Sequence, residues 1–153
     1  GTKFLRTDSL LYIYFPSAGK TQKLSGHMLR QGMMGSDLSY EDQTSRNKLD
    51  DIYNSKILKE TDDEYTLELI LKPNEENSYY KRVLTVDKKK FVLLDSLMYA
   101  NSGKLLKELS VLKYEKIKDR YYITHFKMED KIKKDSYRTK FCLITIFLFY
   151  IWF

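Results

Sequence analysis

One segment resembles part of a phosphate-binding loop, the sequence Ala18-Gly19-Lys20-Thr21. In a P-loop, a strand leads into a glycine-rich loop and then into a helix, and the lysine holds phosphate oxygens. Here the first glycine of the motif would fall at Tyr14, and the segment lies between two segments that read as strands. We therefore expect no nucleotide site at this turn.

Other side chains that do chemistry are few or unsuitably spaced. His27 and His125 are the two histidines, and neither has a metal-ligand partner at a helical or hairpin spacing. The sequence contains no nucleophile elbow and no patterned pair of carboxylates. A single cysteine, Cys142, allows neither an internal disulfide nor a cysteine-rich metal site. The sequence therefore predicts a non-enzymatic protein with no cofactor and no metal.

A nucleic-acid surface is an alternative, because aromatic residues beside basic ones can stack on bases. The net charge of +6 favours an anionic partner such as nucleic acid or a lipid surface. The basic residues are spread through the chain and most lie beside acids, however, which is typical of a solvated surface. Tyrosine is also ordinary on strands, so we expect no nucleic-acid partner. The residues concerned are Tyr79, Tyr80, Lys81, Arg82, Tyr121 and Tyr122.

The stretch from Gly32 to Asp42 combines two glycines, a methionine pair and a helix-start signature. Ser39, followed three residues later by Asp42, resembles a capping box. Acidic residues at positions 41 and 42 would lie in the first turn, where the helix dipole favours negative charge. We predict a loop that starts a helix at residue 40 and a helix that runs to about residue 53. A plain strand-to-helix connector is the alternative.

The rest of the chain reads mostly as hairpins. In residues 64–72, Tyr65, Leu67, Leu69 and Leu71 alternate with polar residues, as in a strand with two different faces. Such segments joined by short turns predict an antiparallel meander, and no parallel βαβ pattern occurs. The length of 153 residues suggests one domain. The predicted strands are 9–15, 21–25, 56–60, 64–72, 79–86, 91–99, 105–114 and 121–130.

The last segment, residues 141–153, is apolar and rich in β-branched and aromatic residues. It is shorter than the ~20 residues that a spanning helix needs, so a buried strand fits better. A membrane-inserting tail is the alternative, because the basic residues just before it suit an anionic bilayer. The chain begins without Met or a signal peptide, so we expect a fragment, a processed form or an excised domain.

Several segments resemble the outer-membrane lipoprotein-sorting (LolA-like) family. The most specific is Met-Gly-Ser-Asp-Leu-Ser-Tyr-Glu-Asp at residues 34–42, which is similar to the family sequence MGSDFSYEDL with Leu38 in place of Phe. Residues 11–16 match a strand ending in Tyr-x-Pro, and residues 86–88 and 102–104 match Val-Asp-Lys and Ser-Gly-Lys turns. The resemblance covers residues 3–137.

The resemblance implies a mainly β (α+β) fold, an antiparallel meander that forms part of an incomplete β-barrel with one helix packed as a lid. It implies a single partial domain over residues 1–153, corresponding to the C-terminal portion of the family. The tail after Arg138 does not match the usual closing strand, and a shifted reading frame near residue 138 is one hypothesis. Members of the family are typically periplasmic or in the cell envelope.

The implied function is that of a carrier that binds acyl chains of lipoproteins or phospholipids in a hydrophobic cavity, with a membrane or exporter partner. The alternative is a non-enzymatic structural or interaction module of an envelope or exporter assembly. The aromatic and Met content exceeds what a minimal core requires, which is compatible with a ligand cavity, and a filled sandwich or half-barrel core is the alternative. The predicted cavity residues are Leu10, Tyr12, Tyr14, Met33, Met34, Leu67, Leu69, Leu93 and Leu97. The motif residues predicted to form a structural loop and cap are Gly35, Ser36, Asp37, Ser39, Tyr40, Glu41 and Asp42.

Overall fold

The structure is a computed structural model that describes residues 1–7, 10–44, 49–133 and 139–142. The chain divides into two compact units, Gly1–Asp51 and Ile52–Phe153. The helices are α1 (Tyr40–Thr44) and α2 (Leu49–Ile52). The strands are β1 (Lys3–Arg6), β2 (Leu10–Phe15), β3 (Lys20–Ser25), β4 (Tyr53–Glu60), β5 (Glu64–Leu71), β6 (Lys81–Asp87), β7 (Leu93–Tyr99), β8 (Leu105–Ile117), β9 (Arg120–Asp130) and β10 (Thr139–Cys142).

The first unit contains an antiparallel sheet in the order β1-β2-β3. The predicted hairpin between β2 and β3 is confirmed, and its turn places Gly19 at a φ of +60°, a conformation that costs other residues more. Leu11, Ile13 and Leu24 form a buried cluster on one side of this sheet. Phe15, Met28, Leu29 and Tyr40 pack against that cluster, so the start of α1 is held to the sheet through Tyr40.

The loop between β3 and α1 consists of two 3₁₀ turns, Gly26–Arg30 and Met33–Gly35. Its ends are tied together because Tyr40 N donates to Gln31 O at 3.2 Å, and Met33 N donates to Leu38 O at 2.7 Å. The loop is therefore closed by its own backbone before the helix begins. This matches the predicted loop of special geometry.

The second unit contains a sheet that, among the described residues, has seven strands in the order β10-β9-β8-β7-β6-β5-β4. Every neighbouring pair is antiparallel. The predicted antiparallel meander is confirmed. In the described ranges β4 and β10 are unpaired edges, so the sheet is open, as in an incomplete barrel.

The predicted single helix over residues 40–53 is partly wrong. It begins at Tyr40 as expected, but Tyr53 is the first residue of β4 and pairs with Leu71. The hydroxyl of Tyr53 donates to the carbonyl oxygen of Tyr79 at 2.6 Å, so contacts distant in sequence fix this residue in the sheet. Residues 45–48 lie outside the described residues.

The two chain ends also differ from the predicted strands. The sequence did not predict β1, which pairs with β2 from Lys3 opposite Tyr14 to Arg6 opposite Leu11. Of the apolar run at residues 141–153, the first two belong to β10, and residues 143–153 lie outside the described residues. None of the helices within the described ranges has the length and apolar character to cross a membrane.

Candidate functional site

The buried strand residues of the seven-stranded sheet lie on one face. Residues that pair directly across antiparallel strands share a face, and alternate residues of a strand share it too. Applied to the observed register, this rule groups the described strand residues that are buried into one set, here called the buried face. The set is Tyr53, Leu69, Arg82, Leu84, Ser96, Met98, Leu109, Phe126 and Met128.

The opposite face, here called the charged face, carries ion pairs and polar contacts between half-buried apolar residues. Lys56 Nζ lies 2.8 Å from Glu68 Oε1, and Thr85 Oγ1 donates to Asp95 Oδ1 at 3.0 Å. Glu108 and Glu129 lie directly opposite each other on β8 and β9. Lys131 Nζ pairs with both of them, at 2.7 Å from Glu108 Oε2 and 2.9 Å from Glu129 Oε1. Neighbouring strands thus neutralise each other's charges.

Glu129 accepts hydrogen bonds from two lysines on the charged face. Lys127 Nζ donates to its Oε2 at 2.8 Å, and Lys131 Nζ donates to its Oε1 at 2.9 Å. These hydrogen bonds lower the pKa of Glu129 to about 2 because they stabilise the charged carboxylate, and the bond from Lys127 has the largest effect.

The register separates the predicted cavity residues of this unit. Leu67 and Leu69 lie on the buried face, opposite Leu84 and Arg82. Leu97 lies on the charged face, opposite Val83 on β6 and Glu108 on β8, so it does not share a face with the other two.

Leu93 follows a register shift that brings it opposite Val86. Val86 alternates with Leu84, so this bulge returns Leu93 to the side of the buried face.

The first unit has an open apolar groove of about 420 Å³. Tyr12 and Tyr14, two of the predicted cavity residues, line it together with Phe4 and Leu5. Leu5 is 63% exposed, so this groove presents a large apolar side chain to solvent. The remaining lining residues are Lys3 and Thr21.

The other predicted cavity residues of this unit lie near the groove strand or in the loop. Leu10 is half-buried and shares its face of β2 with the two groove tyrosines by alternation. Met33 is half-buried in the second 3₁₀ turn. Met34 belongs to the same turn, and its side chain lies outside the described part of the structure.

The motif residues form the predicted cap of α1. Ser39 N donates to Asp42 Oδ2 at 2.8 Å, and Asp42 N donates to Ser39 Oγ at 3.1 Å, which is a reciprocal capping box with Asp in the third position. Gly35 has a φ of +78°, which explains a glycine there.

Further contacts make the same loop compact. The Ser36 hydroxyl contacts the carbonyl oxygens of Met33 and Leu38 at 2.6 Å and 3.1 Å. Asp37 is buried within the loop, and Glu41 lies in the first turn of α1. These contacts are structural, in keeping with the predicted role of the motif.

Arg82, which the sequence analysis considered only as part of an alternative nucleic-acid surface, is a buried cation. Its guanidinium carbon lies 4.8 Å from the centre of the Tyr79 ring and 5.5 Å from that of Tyr53. A platform for nucleic-acid bases is therefore excluded at Tyr79 and Arg82, because both are buried and contact each other. The available signal was the alternation of Arg82 with Leu84 and Val86 on β6, which places the arginine on an apolar face.

Two polar side chains of the buried face have atoms without partners. Nε and Nη2 of Arg82 and Oγ of Ser96 are buried and have no hydrogen-bond partner in the described structure. Buried polar groups are normally satisfied, so each such atom requires an explanation.

Comparison with known proteins identifies the family. A family model described as "Uncharacterized protein" matches residues 1–144. The chain belongs to this family. No curated protein matches the sequence.

Three solved structures are similar to this member of the family. A DUF1329 family protein from Desulfovibrio piger has a TM-score of 0.75 at 28% identity, and the match covers 85% of this chain and 58% of the Desulfovibrio chain. An outer membrane lipoprotein-sorting protein domain from Vibrio parahaemolyticus has a TM-score of 0.70 at 25% identity, covering 80% and 53%. A LolA superfamily protein from Nitrosomonas europaea has a TM-score of 0.64 at 25% identity, covering 88% and 60%.

These similarities confirm the predicted resemblance to LolA-like, outer membrane lipoprotein-sorting proteins. The chain spans between 53% and 60% of the length of the three relatives. The family member described here thus has the mainly antiparallel, open β fold that the sequence predicted.

Proposed function

We propose that this protein is a non-enzymatic carrier of the cell envelope that binds the acyl chains of lipoproteins or phospholipids on apolar strand surfaces. The observation that carries the proposal is the open groove of the first unit, where Leu5, Tyr12 and Tyr14 present apolar surface next to solvent. Two of these three residues were predicted as cavity residues from the sequence. The similarity to lipoprotein-sorting proteins supports the same interpretation.

The physical gain comes from removing the acyl chain from water. Each CH₂ group that leaves water contributes roughly 0.8 kcal/mol, so an acyl chain of about twelve carbons gains up to about 10 kcal/mol when it is fully buried. In the groove, Phe4 and Leu5 would lose contact with water at the same time, which adds to the gain. In the second unit, Leu67 is a half-buried leucine on the buried face, and we propose it as an acyl contact.

Site-specific fluorescence tests this proposal. We replace Trp152, the one tryptophan of the sequence, by Phe and introduce a new tryptophan at one position at a time. Thr21→Trp reports on the groove, and its neighbour Gln22→Trp reports on the other side of β3. Addition of a brominated fatty acid should quench the fluorescence at position 21 in a saturable way and should leave position 22 largely unquenched.

The second unit offers an equivalent pair. Leu67→Trp lies on the buried face and Thr66→Trp on the charged face of the same strand. Saturable quenching at 67 but not at 66 would place an acyl chain on the buried face. Equal quenching within both pairs, or none at any position in folded protein, would contradict the carrier function.

An interaction module is the second candidate, and the edge strand β4 favours it. Ile57 is 57% exposed, and Leu58 projects at a register shift of this strand. Exposed apolar edge strands are sites where another chain can pair. Lack of quenching combined with a loss of partner binding in Leu58→Lys would support this module instead of the carrier.

A further inference from the structure

The Arg82 side chain has one side of its guanidinium unoccupied. Nε–H and Nη2–H point to the same side of the planar group, and together they form the fork that receives two oxygens of a carboxylate or phosphate. Both nitrogens are buried and have no partner among the described residues. Arg82 itself is 9% exposed, so water has little access to this fork.

The surroundings hold the arginine in place without using the fork. The Tyr53 hydroxyl donates to Tyr79 O at 2.6 Å, and Tyr79 N donates to Asn77 Oδ1 at 3.0 Å, which fixes the two rings. The guanidinium lies 4.8 Å and 5.5 Å from the two ring centres. Cation–π contacts of this kind stabilise the charge through the face of the group and leave its edge donors available.

A third donor lies on the same face of the sheet as Arg82. Arg82 pairs with Met98 and Leu84 pairs with Ser96, so Ser96 is the diagonal neighbour of Arg82 across β6 and β7 on the same face. Ser96 is 3% exposed, and its Oγ is also without a partner in the described part of the chain. The long arginine side chain can reach the space next to a diagonal neighbour.

Apart from Lys107, which pairs with Met98 and has its Nζ 5.9 Å from the centre of the Tyr79 ring, the strand residues around Arg82 are apolar. The side chains directly paired with Arg82 are Leu69 on β5 and Met98 on β7, and Leu84 follows on β6. A ligand that satisfies the donors therefore meets hydrocarbon around its charged end. An amphiphile with an oxyanion head and an alkyl chain fits both features.

We propose that Arg82 and Ser96 form a headgroup subsite, in which the Arg82 fork and the Ser96 hydroxyl bind the carboxylate or phosphate of an amphiphile whose chain packs on Leu69, Leu84 and Met98. This proposal rests on the carrier function and adds the chemical class of its ligand. The subsite selects anionic over neutral amphiphiles of equal chain length.

Calorimetric titration of the full chain tests the subsite with dodecanoate and dodecyl phosphate below their micelle concentrations and with dodecanol below its solubility limit. Because hydrogen bonds to charged groups are strong, we expect one or both anions to bind roughly 10- to 100-fold more tightly than the alcohol. Arg82→Met, which keeps the side-chain length, should bring this ratio close to one. Arg82→Lys keeps the charge without the fork and should retain only part of the preference.

Lys81→Met is the matched control. Lys81 is the neighbour of Arg82 on the same strand and lies 4.6 Å from the Tyr99 ring, but it belongs to the other face of the sheet. Its replacement removes one positive charge and one cation–π contact and should leave the preference for anions unchanged. An equal loss in both variants would attribute the preference to net charge and overturn the subsite.

The remaining outcomes separate the two proposals. If dodecanol and both anions bind equally to the wild type, the carrier function stands and the headgroup subsite is wrong. If none of the three binds to folded protein, both proposals are wrong. If acetate or inorganic phosphate binds as tightly as the amphiphiles and Arg82→Met abolishes this, the site takes free oxyanions and the amphiphile part is overturned.

A folding defect in Arg82→Met leaves the test intact. Ser96→Ala removes one small donor and should lower the preference at least roughly fivefold, the effect of a single hydrogen bond. The wild-type ratio of anion to alcohol needs no variant, so a ratio near one contradicts the subsite in every case.

Discussion

The two faces of the seven-stranded sheet contain polar groups in opposite states. On the charged face, Lys131 lies within 2.9 Å of Glu129 and 2.7 Å of Glu108, so like charges on neighbouring strands share a counter-charge. On the buried face, Arg82 and Ser96 carry donors that no described atom accepts from. Unpaired charges would cost little on the charged face, yet they are paired there. Unsatisfied polar groups are costly on the buried face, yet two residues carry them there.

This difference indicates which polar groups serve folding and which require another explanation. Ion pairs near water contribute only about 0–1 kcal/mol, so their purpose on the charged face is to avoid repulsion between strands. A buried, unpaired donor destabilises the folded chain, and natural proteins retain few of them. Arg82 and Ser96 are therefore where we expect a ligand, whereas the charged face is explained by the fold itself.

The largest predicted difference in stability is between substitutions of two neighbouring residues of β9 that lie on opposite faces. Phe126→Ala removes a ring that is 2% exposed and should lower the free energy of unfolding by about 3–5 kcal/mol, because it leaves a cavity. Lys127→Ala removes one ion pair with Glu129 and should cost less than about 1 kcal/mol. Urea denaturation of both variants measures the difference.

A similar cost for the two variants would contradict the assignment of the faces. It would mean that the ring of Phe126 is not part of a packed layer. The sheet would then have two equivalent surfaces, and the argument that unsatisfied donors on one of them are exceptional would lose its basis.

An intermediate difference in stability is expected between substitutions of two buried serines, one whose hydroxyl is hydrogen-bonded and one whose hydroxyl has no described partner. Ser39→Ala breaks the capping box with Asp42 and should lower the free energy of unfolding by about 1 kcal/mol. Ser96→Ala removes a hydroxyl without a partner and should leave stability unchanged or raise it slightly. Chemical denaturation without added lipid measures both.

A clear loss of stability in Ser96→Ala would show that its hydroxyl has a partner in solution. The headgroup subsite would then lose its third donor, and only the Arg82 fork would remain. Equal effects of the two substitutions would remove the distinction between satisfied and unsatisfied buried serines.

The sequence predicted the features that depend on short-range signals. The hairpins follow from alternation within each strand and from polar turns between strands, and the capping box follows from a three-residue spacing. Each of these signals lies within a few residues of the structure it specifies. The start of α1 and the whole order of the meander could therefore be predicted without coordinates.

The features that the sequence missed depend on distant partners. The strand β1 has four residues and is fixed by pairing with β2, while Tyr53 joins a strand because Leu71 pairs with it. Leu97 was grouped with Leu67 and Leu69 although it lies on the other face, because alternation does not show which face of each strand meets which face of its neighbour. Register comes from the pairing of whole strands, and it decides which leucines share a face.

The candidate site was harder to predict than the fold for the same reason. The alternation of Arg82 with Leu84 and Val86 indicates an apolar face, but the pairing with Leu69 and Met98, which buries the arginine, is not visible in the sequence. Tyr12 and Tyr14 of the groove were predicted as cavity residues on the basis of the resemblance to the LolA-like family. The lipid-binding role of both surfaces stays a prediction.

The smallest predicted effect concerns acid stability on the charged face. Glu129 has a pKa of about 2 in the folded protein and about 4.3 when unfolded, so the unfolded chain takes up about one more proton at pH 3. Its contribution to stability is complete above pH 5 and is lost as the pH falls toward 2. Glu129→Gln should therefore reduce the slope of unfolding free energy against pH in this window.

Lys131→Met distinguishes this mechanism from a general effect of charge. Lys131 donates to Glu129 at 2.9 Å, so its removal raises the pKa of Glu129 toward the unfolded value and should also reduce the slope. The two substitutions change net charge in opposite directions, because one removes an acid and the other removes a base. Slopes that move in opposite directions would show that net charge controls acid unfolding, and the pairing of strands on the charged face would then matter only for avoiding repulsion near neutral pH.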